Sequence, residues 1–235
     1  MDLEKSLLRH LLVEIKLRYL LLLGCVAFLA SHLSAQPEGS VSSNAGIDIL
    51  STFLESTLSM SAEFQQLLWD SEGQLVEEAE GTLEFRRPNR FVWSYTVPFE
   101  QQLVSDGQNL WMYDIDLAQI TVTAIDDMVT ATPAMLLSGE QDILNGFEVI
   151  ESFNYEGRYW VELQPIHLES DFRTILLGFT LGDLSAIQFV DGLGQLTEIE
   201  FSRVELNPEL KDDLFNFIVP EGVAVIGNIA NSDVL

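Results

Sequence analysis

The sequence predicts an α+β fold in which short helices cover the concave side of one strongly curved antiparallel sheet of about 10 to 11 strands. Three observations predict it. From residue 61 onward, apolar residues recur with period two and are interrupted by turn sequences at short intervals. An amphipathic helical stripe precedes these strands, and a short helical segment interrupts them near residue 132. A sheet of this many strands curls or closes rather than lying flat, so the two helices would cover its concavity.

The first 35 residues have the pattern of an export signal. Lys16 and Arg18 precede an apolar run of about a dozen residues, which is short for a membrane-spanning helix. Small and polar residues follow as far as Ala35, so we predict a cleaved signal peptide at 1–35. The alternative is lipid attachment at Cys25, which is disfavoured because the residues after it remain apolar.

The next segment, 36–45, is small, polar and rich in turn formers, which indicates a flexible lead-in. The folded domain is predicted from there to residue 226, with a C-terminal tail at 227–235. Its first element is an amphipathic helix lying on the sheet, because apolar residues recur at helical spacing at Ile47, Leu50, Leu54 and Leu58.

In the strand region, apolar and polar residues alternate in short runs. Turn signals separate these runs, such as Arg87-Pro88-Asn89 and Ser105-Asp106-Gly107. In the run between those two turns, Phe91, Trp93 and Tyr95 would share one sheet face. The pattern is typical of an antiparallel meander.

One helical insertion interrupts this meander. Thr132 suits a helix N-cap, Pro133 suits the first helical position, and Gly139 can end the helix. We therefore predict a second short helix, which would cover the concave side of the sheet together with the first.

Composition excludes several function classes. The chain has a formal net charge of −26, which would repel phosphate backbones, so no nucleic-acid partner is expected. The only cysteine is Cys25, and the only histidine beyond residue 35 is His167. We expect no disulfide, no metal site and no cofactor, because Cys/His zinc motifs cannot be assembled from these residues.

No catalytic motif is present. The sequence has no G-x-S-x-G elbow and no glycine-rich phosphate loop, and His167 lacks a surrounding motif that would make it a base. Acidic residues such as Glu77, Glu78 and Glu80 are too numerous in this chain to indicate glycosidase chemistry. We therefore predict that the protein is not an enzyme.

Three blocks of residues closely resemble the outer-membrane lipoprotein carrier family. In order, they are Arg87-Pro88-Asn89-Arg90-Phe91 with Trp93, Leu103-Val104-Ser105-Asp106-Gly107 with Leu110-Trp111-Met112-Tyr113-Asp114, and Thr132-Pro133-Ala134-Met135-Leu136-Leu137. The resemblance runs from about Ile47 to Val225. It implies an incomplete antiparallel β-barrel whose helices form a lid over an apolar cavity.

The resemblance also implies a function. Such a protein is a periplasmic chaperone, a monomer that binds the acyl chains of lipoproteins released by an inner-membrane transporter and delivers them to an outer-membrane receptor. An alternative that the sequence leaves open is a periplasmic carrier of another amphiphile, such as a lipid or glycolipid.

The family pattern carries over to particular positions. Arg87 matches an arginine that ties the barrel to the lid through the lid backbone, whereas no role is assigned to Arg86. The acyl-chain cavity is expected to be lined by Leu50, Leu54, Met60, Phe91, Trp93, Leu103, Met135 and Leu136. Cavity wall and ordinary core look alike in sequence, so a core role for Phe91 and Trp93 is the alternative. Ala134 stands where the family can have a bulkier Phe.

Overall fold

A computed structural model of the chain describes four stretches of residues, namely 44–125, 133–139, 146–166 and 172–230. The predicted signal peptide lies outside the described residues, as do 36–43 of the lead-in, Thr132 and the end of the tail from residue 231.

The described residues form one 12-stranded sheet whose strand order is β12-β6-β5-β4-β3-β2-β1-β11-β10-β9-β8-β7. Its strands are β1 Ser59–Trp69, β2 Leu75–Arg86, β3 Arg90–Val97, β4 Gln101–Asp106, β5 Asn109–Asp114, β6 Gln119–Ala124, β7 Phe147–Tyr155, β8 Arg158–Pro165, β9 Phe172–Thr180, β10 Asp183–Asp191, β11 Leu196–Leu206 and β12 Ala224–Gly227. The predicted sheet is thus confirmed as an open, curled sheet, with 12 strands in place of 10 to 11.

The prediction of a purely antiparallel sheet is wrong at one edge. β12 pairs in parallel with β6, with Ala224 opposite Gln119 and Gly227 opposite Val122. A parallel pair requires a long return of the chain rather than a tight turn. Here the segment from the end of β11 crosses the sheet through a short 3₁₀ helix, Asp212–Phe215, before β12 begins. Local periodicity does not report such a return.

Two helices accompany the sheet: α1 spans Asn44–Ser56 and α2 spans Pro133–Ser138. α1 buries Gly46, Leu50, Phe53 and Leu54. Leu58, which the periodicity places on the helical stripe, lies beyond the helix and is 58% exposed. α2 begins at Pro133 as expected, and the Gly139 N–H donates to the Met135 carbonyl at 2.8 Å where the helix ends.

The sheet has an inner face, on which both helices pack, and an outer face. The inner face carries the main apolar core, which includes Phe85 and Phe91, and α1 and α2 contribute to it. The outer face carries a second cluster around Phe215, which covers Val92, Val104, Trp111, Ile120 and Val122. Alternating residues of β3 therefore serve both cores: Phe91 and Trp93 point inward, and Val92 points outward.

Candidate functional site

The structure brings all eight predicted cavity residues into one apolar cluster on the inner face. Leu103 and Met135 are partly buried against this cluster. The other six are buried within it, namely Leu50, Leu54, Met60, Phe91, Trp93 and Leu136. Phe91 and Met60 are 0% exposed, so these side chains are covered by the helices and by neighbouring strands.

Aromatic rings that the sequence analysis did not single out complete the inner cluster. The Phe64 ring lies 4.7 Å from the Trp93 ring, and the Phe53 ring of α1 lies 5.7 Å from the Phe179 ring of β9. Phe53 could have been found from its spacing, because it lies three residues after Leu50 on the same helical face. These large rings give the cluster an aromatic wall in contact with α1.

The turn between β2 and β3 is hydrogen-bonded to both helices. Arg87 Nη1 donates to the Leu54 carbonyl of α1 at 3.1 Å, and the Arg87 N–H donates to the Leu58 carbonyl at 2.8 Å. The Asn89 N–H donates to the Ser138 carbonyl at the end of α2, at 2.7 Å. One strand-end turn thus holds the ends of both helices that cover the inner face.

The Arg87 guanidinium is buried between two rings. The residue is 9% exposed, and its guanidinium carbon lies 5.6 Å and 5.7 Å from the ring centroids of Phe53 and Phe85. Burial lowers the pKa of Arg87 to about 10, so the group is still protonated at neutral pH. Its Nε and Nη2 groups have no hydrogen-bond partner among the described residues.

This cation complements the end of α1. The last turn of α1 contains no basic residue of its own, and its final carbonyls carry partial negative charge. Arg87 supplies both the missing hydrogen-bond donor and the positive charge from a different element. The contact depends on α1 lying on the sheet, because the donor belongs to the sheet and the acceptor to the helix.

Asn207, at the end of β11, holds the chain where α1 leads into β1. Its side-chain oxygen accepts the Leu58 N–H at 2.7 Å, and its side-chain nitrogen donates to the Ser56 carbonyl at 3.0 Å. The Asn207 backbone has a φ of 57°, a left-handed conformation that asparagine tolerates well. The sequence alone does not indicate this residue, because no local pattern links it to a segment about 150 positions earlier.

Replacing Asn207 with glycine should loosen the base of α1 while keeping the left-handed backbone. Loss of its three side-chain hydrogen bonds, with Leu58, Ser59 and Ser56, is expected to cost about 1 to 2 kcal/mol of unfolding free energy. Chemical denaturation would measure that loss, and hydrogen exchange should show faster opening of α1 amides than of β9 amides. Equal loss of protection in both elements would mean that Asn207 supports the whole sheet rather than the helix.

Arg86 has a role that the sequence analysis did not assign. It lies on the outer side, where Nη1 donates to the Leu210 carbonyl at 3.0 Å and Nη2 pairs with Asp212. Its guanidinium carbon is 5.1 Å from the centroid of Phe215. Adjacent arginines therefore hold different segments: Arg87 contacts α1 and Arg86 contacts the C-terminal segment.

Within the stretches described above, no group of three His, Cys, Asp or Glu side chains is placed to hold a metal ion. In the same stretches, neither helix has the length and apolar character needed to cross a bilayer.

Comparison with known proteins confirms the family resemblance. A family model described as outer membrane lipoprotein carrier protein LolA matches residues 55–218. An outer-membrane lipoprotein carrier protein from Nitrosospira multiformis is 42% identical over 182 residues, which cover 77% of this chain and 88% of that protein. One from Methylobacillus flagellatus is 37% identical over 182 residues, with 77% and 89% coverage.

Among solved structures, a LolA superfamily protein from Nitrosomonas europaea aligns with 76% of this chain and 99% of its own, at 12% identity and a TM-score of 0.44. The family assignment depends on the sequence matches, which span most of the described domain. This chain belongs to the outer membrane lipoprotein carrier protein LolA family.

Proposed function

We propose that this protein is a periplasmic carrier that takes acylated lipoproteins from an inner-membrane releasing transporter and delivers them to an outer-membrane receptor. It acts as a monomer, reaches the periplasm through its cleaved signal peptide, and binds the acyl chains on its inner face. Family membership supports the lipoprotein cargo, since the relatives named above are outer-membrane lipoprotein carrier proteins.

The energetics of acyl chains require such a carrier. A chain of about 16 carbons is stabilised by roughly 12 kcal/mol on leaving water, at about 0.8 kcal/mol per buried CH₂. A lipoprotein therefore does not cross an aqueous compartment unaided. The carrier must offer an apolar surface of matching size, and that surface must be covered when empty to prevent aggregation.

The observation that carries the proposal is the attachment of two helices over an apolar sheet face by a single turn. Arg87 and Asn89 make hydrogen bonds to α1 and α2, while the eight predicted acyl-contact residues lie together below the helices. In this proposal the sheet is an incomplete barrel, α1 and α2 are its lid, and the described structure is the closed form. Cargo chains enter when the helices move away and replace the contacts that the helices made.

The test is to identify what the protein carries. The full chain, exported with its own signal, would be purified from a periplasmic extract without detergent and its bound molecules identified by mass spectrometry. Acylated lipoproteins are expected, and an identical purification from cells lacking the protein should recover none of them. Recovery of free lipids or glycolipids alone would replace this proposal with the carrier of another amphiphile.

A further inference from the structure

A groove opens on the inner face at the end of the sheet away from the β2–β3 turn. Its volume is about 460 Å³, within the range of small-ligand sites. Its walls include Gln66, Glu77, Tyr95 and Asp114 on strands, and Phe99 and Leu117 in the adjoining loops. The lid contacts described above, at Arg87 and Asn89, lie at the other end of β3.

This groove continues the apolar inner cluster. The Tyr95 ring lies 5.3 Å from the ring of Phe64 and 6.4 Å from that of Trp93, both of which are buried in the cluster. Its hydroxyl donates to the Gln66 side-chain oxygen at 3.1 Å. Polarity therefore increases along the inner face. The buried rings of Phe64 and Trp93 are followed by the Tyr95 hydroxyl and the Gln66 amide at the groove.

The rim of the groove is acidic. Glu77, Glu100, Asp114 and Asp116 line it, and neither lysine nor arginine is among its lining residues in the described part of the chain. Asp114 is partly engaged, since its Oδ1 accepts the Leu117 N–H at 2.9 Å. Carboxylates only accept hydrogen bonds, so this rim favours cations and N–H donors and repels phosphate.

Apolar side chains stand beside these charges. Phe99 is 71% exposed and Leu117 is 70% exposed, and their loops are joined by a hydrogen bond from the Ile115 N–H to the Glu100 carbonyl at 3.2 Å. Exposed large apolar residues next to an open groove are typical of a binding surface. A ligand here would need apolar contact together with positive charge or backbone N–H groups.

We propose that this groove binds the peptide segment following the acylated residue of a bound lipoprotein, and that it favours segments with cationic side chains over anionic ones. The inference depends on the proposed function, because it places the acyl chains on the adjoining inner face. Val97, which lines the groove, lies four positions after Trp93 on β3, a distance of about 13 Å, so a short extended peptide spans it. The same rim repels anionic phospholipid headgroups, which gives the carrier a basis for choosing lipoproteins over such lipids.

The test compares three fluorescent, palmitoylated pentapeptides that are identical except at two positions, which are both Lys, both Gln or both Glu. At low ionic strength, the parent protein should bind the Lys probe about fivefold more tightly than the Gln probe, and the Glu probe most weakly. The differences in affinity between the three probes should become smaller as salt is added. Binding of the Gln probe measures acyl-chain binding itself, so its absence would reject the proposed function rather than the groove.

Charge-matched variants locate the effect. Glu77→Gln with Asp116→Asn removes two exposed groove carboxylates. Glu205→Gln with Glu209→Gln removes two exposed ones away from the groove, at the end of β11 and just beyond it. In the groove variant, the dissociation constants of the Lys and Glu probes should lie within about twofold of that of the Gln probe. The distant variant should retain most of the difference in affinity that the parent shows.

Three outcomes would overturn the inference. Equal effects of the two double variants would assign the preference to the overall charge of −26. If the groove variant kept the parent's order of affinities for the three probes, the groove would have no role in cargo selection. Binding of the unacylated Lys peptide as tightly as the acylated one would make the groove a docking site for a basic protein partner instead.

Discussion

The Arg87→Leu variant is expected to bind acylated cargo at least as tightly as the parent and to release it to the outer-membrane receptor much more slowly. In the proposed cycle the carrier closes after delivery, and Arg87 then makes the contacts seen in this structure, a hydrogen bond to the Leu54 carbonyl and a position between two rings. The free energy of closure opposes cargo binding and thereby favours release. Leucine makes no such hydrogen bond, so closure loses about 1 to 3 kcal/mol and cargo is retained.

The fold should survive this change. Arg87 lies at a strand end, and two of its donor groups have no partner among the described residues, so removing the buried charge also removes a desolvation cost.

Because the pKa of Arg87 is about 10, the parent should release cargo at a rate that does not vary between about pH 5 and 8 on account of this group. The rate would be followed with a fluorescent acylated peptide mixed with the receptor.

Arg86→Leu is the matched control, since it makes the same chemical change one residue earlier on the outer side. It should loosen the C-terminal segment held at Leu210 and Asp212 without slowing release. Normal release by Arg87→Leu, or equally slow release by Arg86→Leu, would contradict a specific role of Arg87 in closing the lid.

Sequence periodicity predicts those parts of this fold whose pattern is local. The stripe containing Leu50 and Leu54 predicted α1, and Pro133 predicted the start of α2, because caps and helical spacing involve neighbouring residues. The parallel pairing of β12 was missed, since it depends on how a chain segment crosses the outer face. Leu58 was misplaced because the helix ends at Ser56, where Asn207 takes over its hydrogen bonds.

The candidate site was predicted in a similarly uneven way. Motif blocks identified residues that share the inner cluster, including Phe91 and Leu136. They missed Phe64 and Asn207, whose contacts are made across strands or across most of the chain. The groove beside Tyr95 could not be predicted either, because its rim combines loops after β3 and β5 whose proximity depends on strand register.

Phe91→Glu is expected to abolish acyl-chain binding, and Ile120→Glu is its matched control. Both side chains are 0% exposed and belong to one sheet, on β3 and β6, but Phe91 belongs to the inner cluster and Ile120 to the outer one. A carboxylate at either position costs several kcal/mol, so both variants should unfold at lower temperature. Only Phe91→Glu places the charge where acyl chains are proposed to lie.

The two variants separate cavity wall from ordinary core when binding is measured well below both melting temperatures, with an acylated fluorescent peptide. Ile120→Glu should bind within about threefold of the parent, because its buried charge lies on the far side of the sheet, whereas Phe91→Glu should lose at least about a hundredfold. Burial raises the pKa of a carboxyl group, so lowering the pH toward about 5 should neutralise the carboxylate introduced by Phe91→Glu and restore part of the binding. If both variants lost affinity for the acylated peptide in proportion to their lowered stability, Phe91 would be an ordinary core residue. The main support for the inner face as the acyl-chain site would then be absent.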